Sequence, residues 1–180
     1  MEITNFTGSI DFISADSVQG PQNLLLEATK ILDSGYIDYW LAFGTLLGFY
    51  RDGDIIPEDT DIDLSILIKD ENDIPQIVKA FSKKYKYIRS VVKDGEQMQS
   101  AFQRPDNFII DLSFFREDGD DIYSYCEGGL WKNKLSTVMP LGKLDTKYGK
   151  FNVPKNIEEY LTSRYQNWKE KSDDKSINNI

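Results

Sequence analysis

Three aspartates, Asp59, Asp61 and Asp63, fall within five consecutive positions of the stretch PEDTDIDLSILI. Asp61 and Asp63 alternate with Ile62 and Leu64 and lead into an apolar run, which places them at the start of a strand and on one of its faces. Two carboxylates so placed have Cα atoms roughly 6.5–7 Å apart, near enough to close on one hard cation or to bridge two. With no cation between them the like charges are costly, and one carboxyl is driven toward its protonated form. The plain alternative is that Asp59, Asp61 and Asp63 decorate an exposed loop and strand start. A second position favours the metal. In NFIIDLSFF a lone aspartate, Asp111, interrupts an apolar run and shares a face with Ser113. From a neighbouring strand it would complete an all-oxygen site, or take the proton of an acceptor hydroxyl. Its own plain alternative is a polar residue on a half-exposed strand.

Ahead of the aspartates stands Gly44-Thr45, in the order strand, Gly-Thr, short helix, loop, Asp-x-Asp. A glycine that ends a strand before a helix lets a phosphate approach free backbone N–H groups and the Thr45 hydroxyl. The rest of the composition narrows the chemistry further. The chain has no histidine and one cysteine, Cys126, which removes His-ligated zinc, Ser-His and Cys-His catalysis and any intrachain disulfide. It carries 30 acidic against 21 basic residues, a formal charge of −9 that repels a nucleic-acid backbone. An anionic small substrate remains compatible where a metal ion supplies local positive charge. There is no basic and apolar leader at the N-terminus and no run long enough for a membrane span, so the expectation is a cytoplasmic protein.

The elements that must position these residues follow from periodicity. A helix opens at Pro21 with Leu24, Leu25, Ala28, Ile31 and Leu32 on one stripe and stops at Gly35. DYWLAFG reads as a strand ending at Gly44, TLLGFYRD as one or two helical turns from Thr45, and IDLSILI as a second strand. Another helix starts at Asp73 and Pro75, with Ile74, Ile77, Val78, Phe81 and Tyr85 at helical spacing. YIRSVV, MQSAFQR, FIIDLSFF and DIYSYC are strand-like pieces separated by turn residues, and GKLDTKYGKFNVP is a small hairpin. Asn156 starts a last helix, with Glu159 as its capping partner and Ile157, Tyr160, Leu161, Tyr165 and Trp168 as its stripe. Short strand character is expected around residues 10–13. The pattern gives an α/β (α+β) fold with a mixed sheet, one domain over residues 1–168, and a charged tail over 169–180 that frays.

FGTLLGFYRDGDIIPEDTDIDLSI closely resembles the signature of the LicD/fukutin-like phosphotransferases, a branch of the nucleotidyltransferase superfamily. PLGKLDTKYGKFNVPKNIEEYLTSRY, from Pro140 to Tyr165, looks like the second signature of the same family. The resemblance spans most of Trp40 to Trp168. It implies a nucleotidyltransferase-like mixed β-sheet with flanking helices, and Mg²⁺ (or Mn²⁺) held by Asp61, Asp63 and Asp111. It also implies transfer of a phospho-alcohol, such as phosphocholine, glycerol phosphate or ribitol phosphate, from a CDP-linked donor to the hydroxyl of a glycan or glycolipid precursor. Gly44 and Thr45 would cradle the diphosphate, and Arg51, Lys143 and Arg164 are candidates for binding the nucleotide. For Arg51 the alternative is a cation complementing a helix C-terminus, and for Arg164 a surface side chain. The sequence departs from the family pattern at Glu58, Thr60 and Gln166, none of them in the aspartate triad.

Two other readings stay open: a minimal nucleotidyltransferase that moves an NMP from an NTP to a hydroxyl, and a non-catalytic binding module of the same fold. The basic, aromatic strip FSKKYKYIRSVVK reads as a helix end and a core-entering strand rather than a nucleic-acid surface. Trp131, Tyr123 and Tyr125 are either stacking partners for a base or ordinary core and strand aromatics. Cys126 reads as a small apolar residue.

Overall fold

A computed structural model describes residues 1–6, 20–57, 59–126, 128–165 and 167–171. The strand expected around residues 10–13 and most of the charged tail lie outside the described residues.

Among the described residues, ten strands and five α-helices follow in chain order. They are β1 Glu2–Asn5, α1 Gly20–Ser34, β2 Tyr39–Leu41, α2 Phe43–Leu47, β3 Asp61–Leu67, α3 Asp73–Ser82, β4 Lys86–Lys93, β5 Glu96–Gln103, β6 Ile109–Asp118, β7 Asp121–Cys126, β8 Gly129–Lys134, α4 Leu135–Val138, β9 Gly142–Thr146, β10 Gly149–Val153 and α5 Ile157–Arg164. A π-helical turn, Gly48–Asp52, continues α2.

Eight strands form one sheet in the order β1-β4-β5-β6-β3-β2, and β7 and β8 extend it from the far end of the long β6. All its pairings are antiparallel except that of β3 with β6, which run parallel. Strands β9 and β10 form a separate hairpin.

Side-chain alternation gives the sheet two different faces. On one, Ile62, Ile110 and Phe102 make a continuous apolar row across β3, β6 and β5. Helices α1 and α3 cover it, with the Phe81 ring 5.2 Å from Phe102 and Leu24, Leu25, Leu32, Ile74 and Ile77 buried. On the other face the row reads Asp63, Asp111, Ala101 and Arg89 across β3, β6, β5 and β4. That face is closed in part by α5, whose Tyr160 hydroxyl accepts a bond from Trp40 Nε1 at 3.4 Å.

Four expectations are corrected. The strand DYWLAFG ends at Leu41, not Gly44. The Ala42 N–H still donates to the Asp63 carbonyl at 3.2 Å, but its own carbonyl accepts from Leu46 N–H at 2.9 Å, so the chain has already turned into a helix. Gly44 therefore lies inside the first turn of α2. At the end of α1 it is Tyr36, not Gly35, that takes the left-handed conformation, at φ 55°. Tyr85, Tyr165 and Trp168 are buried or half-buried, but they lie beyond the ends of α3 and α5. Strands β1 and β8 and the short α4 have no counterpart among the elements expected from periodicity.

Candidate active site

The site grows out of the parallel β3–β6 register, which sets Asp63 directly opposite Asp111. Asp61 follows on the same face of β3, and oxygens of Asp61, Asp63 and Asp111 all lie within 4.8 Å of one another. Asp111 is buried and the other two are half-buried. Three carboxylates converging without an intervening apolar side chain make a donor set suited to a hard divalent cation. The cluster can hold a metal ion.

Two devices hold the carboxylates in place. The Gly44 N–H donates to Asp63 Oδ2 at 3.1 Å, while the Asp63 N–H donates to the Thr45 hydroxyl at 2.8 Å. This reciprocal clamp locks the start of α2 against β3. A Cβ at position 44 would come within 3.1 Å of Asp59 Oδ2 and 3.5 Å of Asp63 Oδ2, so glycine is what lets two carboxylates approach the helix. Just before it, Phe43 has φ 46°, a costly conformation for a bulky side chain, with its ring 4.3 Å from Trp131.

The second device is Arg89. Because Ala101 stands between it and Asp111 in the cross-strand row, only a methyl group fills the gap, and the guanidinium reaches over it. Arg89 Nη2 meets Asp111 Oδ1 at 2.7 Å. A charge-assisted bond of that length fixes one carboxylate oxygen.

The electrostatics agree with the geometry. Asp63 is held well above the usual carboxylate range, first by its removal from water and then by the charges of Asp61, Asp111 and Asp59. Asp59 is pushed up to about 7 by burial and by a hydrogen bond and charge from Asp61. Asp59, whose Oδ2 also approaches Gly44, stands beside the three clustered carboxylates and is not a loop decoration.

The cations expected to bind phosphate divide. Arg164 spreads its guanidinium 4.4 Å from the Trp131 ring, 5.8 Å from Tyr165 and 5.9 Å from Phe43. It sits beside the cluster: its charge and that of Asp63 both act on the Tyr160 and Tyr165 hydroxyls, and on the Cys126 thiol, which burial pushes up. Trp131, 6% exposed, is accordingly the floor under Arg164 rather than a platform for a base. Arg51 turns elsewhere. It forms a forked pair with Asp52, the closest contact being 2.9 Å, and donates to the Trp168 carbonyl at 3.4 Å. Lys143 stands exposed on β9 and donates to Asn152 across the hairpin. Thr45, expected to offer its hydroxyl to a phosphate, is 1% exposed and already engaged with β3. Neither Thr45 nor Arg51 is presented to the cluster in the expected way, because each is tied down by a nearer partner.

Sequence reasoning misses Arg89, which it leaves inside a basic strip, and sets Asp59 aside. Asp59 carries a readable signal, since it extends the Asp-x-Asp alternation by one step. Arg89 carries none, because its role depends on strand pairing.

A mixed sheet with an aspartate cluster on β3 and β6 defines the nucleotidyltransferase fold. The lincosamide adenylyltransferase LnuA in its lincomycin-bound structure superposes with a TM-score of 0.55 over 81% of this chain and 86% of its own, at 16% identity. ANT(2″)-Ia in complex with adenylyl-2″-tobramycin superposes at 0.50 over 81% of this chain and 74% of its own, at 11% identity. Such identities speak for the fold alone. Within that fold the chain belongs to the LicD/FKTN/FKRP family, whose nucleotidyltransferase domain matches residues 36–156. The ribitol-5-phosphate transferase FKTN is 30% identical over 157 residues in Mus musculus and 31% over 153 residues in Homo sapiens, covering 82% of this chain in each case. The chain spans about a third of the length of these relatives, 33% in both. An uncharacterized protein of Rickettsia typhi is 28% identical over 137 residues, covering 69% of this chain and 44% of its own length.

Proposed function

We propose that this chain is a metal-dependent phosphotransferase, moving a phospho-alcohol of the ribitol-, glycerol- or choline-phosphate kind from a CDP-linked donor to a glycan hydroxyl. The observation that carries the reading is the register of Asp63 with Asp111, which brings three carboxylates together in a chain of the LicD/FKTN/FKRP family. A relative named for ribitol-5-phosphate transfer supports the class of group moved.

Asp61, Asp63 and Asp111 would hold Mg²⁺ or Mn²⁺, which when bound neutralises charge on the donor diphosphate. The chain's own residues do the rest. Gly44 fixes one oxygen of Asp63 and Arg89 one oxygen of Asp111, so the remaining oxygens keep a set geometry before substrate arrives. Arg164, braced on three rings, would meet a phosphate oxygen with its guanidinium. The acceptor hydroxyl oxygen then forms a bond to the phosphorus that bears the alcohol. The bond from that phosphorus to the CMP oxygen breaks, CMP leaves, and the hydroxyl proton passes to a carboxylate or to water.

The test is product analysis with Mg²⁺ or Mn²⁺ and CDP-ribitol, CDP-glycerol, CDP-choline or CTP. CMP release from one CDP-alcohol, abolished by EDTA and in Asp61→Asn, is the expected result. Pyrophosphate release from CTP, with no CMP from any CDP-alcohol, would replace this reading with nucleotidyl transfer.

A further inference from the structure

Beside the carboxylate cluster lies a groove of about 280 Å³ that the proposed transfer does not use. It runs between the start of α1, loop residues 54–57, 59 and 60, Phe108 and the β9–β10 turn. We infer that this groove receives the sugar end of the acceptor and presents one of its hydroxyls to Asp59. The inference rests on the proposed phosphotransferase reading and adds to it where the acceptor lies.

Charge is the first argument. Asp54 and Asp59 line the groove, and among the described residues no lysine or arginine does. Two cations stand behind the lining, each paired with a carboxylate: Lys147 with Asp54 at 2.6 Å, and Arg104, 5.7 Å from the Phe108 ring, with Asp106 at 2.5 Å. A donor diphosphate brings negative charge and finds no cationic side chain in such a lining. An uncharged polyhydroxyl group is not, because carboxylates accept hydrogen bonds from hydroxyls.

The second argument is the mixture of surfaces. Phe108 and Tyr148 offer aromatic walls, Ile55 and Pro57 offer apolar ones, and Gln22 and Thr60 add neutral polar groups. A few placed polar groups among aromatic and apolar walls suit a sugar ring, which has apolar C–H faces and a hydroxyl rim. The volume falls at the small end of ligand sites and fits one terminal residue.

Asp59 is the link to the chemistry. Its side chain lines the groove and also reaches the cluster: Asp59 Oδ2 is 3.1 Å, and Asp63 Oδ2 3.5 Å, from the point where a Cβ of Gly44 would stand. A hydroxyl bonded to Asp59 is therefore held at the edge of the aspartate triad, where the attacking oxygen must be.

The experiment measures two ligands separately on the whole chain. Saturation-transfer NMR with the methyl glycosides of galactose, glucose and N-acetylgalactosamine, and with free ribitol, reports on the groove. Calorimetry with CDP and Mg²⁺ reports on the donor site. Two variants, Gln22→Trp to fill the groove and Tyr148→Ala to remove a wall, are checked by thermal melting. At least one glycoside should bind and weaken about tenfold or more in a variant that melts like wild type, with CDP affinity changed less than about twofold. The inference is overturned if no glycoside binds, if only ribitol does (the groove then belongs to the donor alcohol), or if CDP affinity is what the variants lose. Glycosides that bind a wild type unable to bind CDP would sink the phosphotransferase reading and keep the groove as a sugar site.

Discussion

The carboxylates of β3 and β6 and the cations Arg51 and Lys143 differ in what decides their positions. Each aspartate is short, rises directly from a paired strand, and has its place set by backbone register. Arg51 and Lys143 sit at the end of a π-helical turn and on an outer hairpin, at the tips of long side chains that bond whatever is nearest: Asp52 and Asn152. Arg164 is the instructive intermediate. It is as long as Arg51, yet three aromatic rings hold its stem and head in one place. In this molecule, a charged group has a set position where strand register or aromatic bracing provides one, and sequence proximity to a signature does not suffice.

The sharpest test of that difference is Asp63→Asn. It keeps the bond to the Gly44 N–H but removes a ligand charge, so transfer should fall by about a thousandfold or more. The metal-free protein should at the same time melt no lower than wild type, because the cost of holding a desolvated ionisable carboxyl among like charges is gone. A variant that melts several degrees lower would mean that the cluster is not repulsive. Arg89→Met comes next. The pair with Asp111 has side chains only 18% and 10% exposed, so removing one partner should cost about 3 kcal/mol in metal-free buffer. Mn²⁺ should restore more stability to this variant than it adds to wild type, as measured by urea unfolding with and without the ion. Equal gains would show that Arg89 and the cation do not act on the same charge.

A pH series is the next smaller effect. Asp59 and Asp63 both have folded-state values above 3.8, so the folded chain keeps protons that the unfolded chain releases. The contribution of Asp59 is complete below about pH 4 and is lost as pH rises through about 7, and that of Asp63 is lost in the same direction. The metal-free melting temperature should fall from pH 5 to pH 8, and the increment from Mg²⁺ should grow over the same interval. An increment that does not change with pH would argue against protonated carboxyls at the site. The smallest effects separate the cations. Arg164→Ala should raise the donor KM about tenfold, while Lys143→Ala should change it less than about threefold and leave stability within about 0.5 kcal/mol. A reversal of that order would return Lys143 to the nucleotide site.

Much of this is legible in the amino-acid sequence. Alternation in IDLSILI and NFIIDLSFF places Asp61, Asp63 and Asp111 on strands, and the turn residues between them cut the sheet into the right pieces. The hairpin and the helix after Asn156 are also visible from local pattern. What stays hidden depends on pairing. No periodicity states that Ala101 stands between Arg89 and Asp111, or that the β3–β6 pair is parallel. Local preference also misleads where tertiary contacts override it. Phe43 takes a left-handed conformation because the chain must turn early enough for the Gly44 N–H to meet Asp63, and Thr45 is drawn inward by the same clamp.

The parallel pairing of β3 with β6 also orders events in time. Helix α3 and strands β4 and β5 all lie between these two strands in the chain, so their meeting is a long-range closure of the slow kind. The complete set of carboxylates exists only once that closure has happened. A divalent ion held by that set would have little to bind in a partly folded chain and would act on the finished one: it should slow unfolding and leave the rate of folding almost untouched.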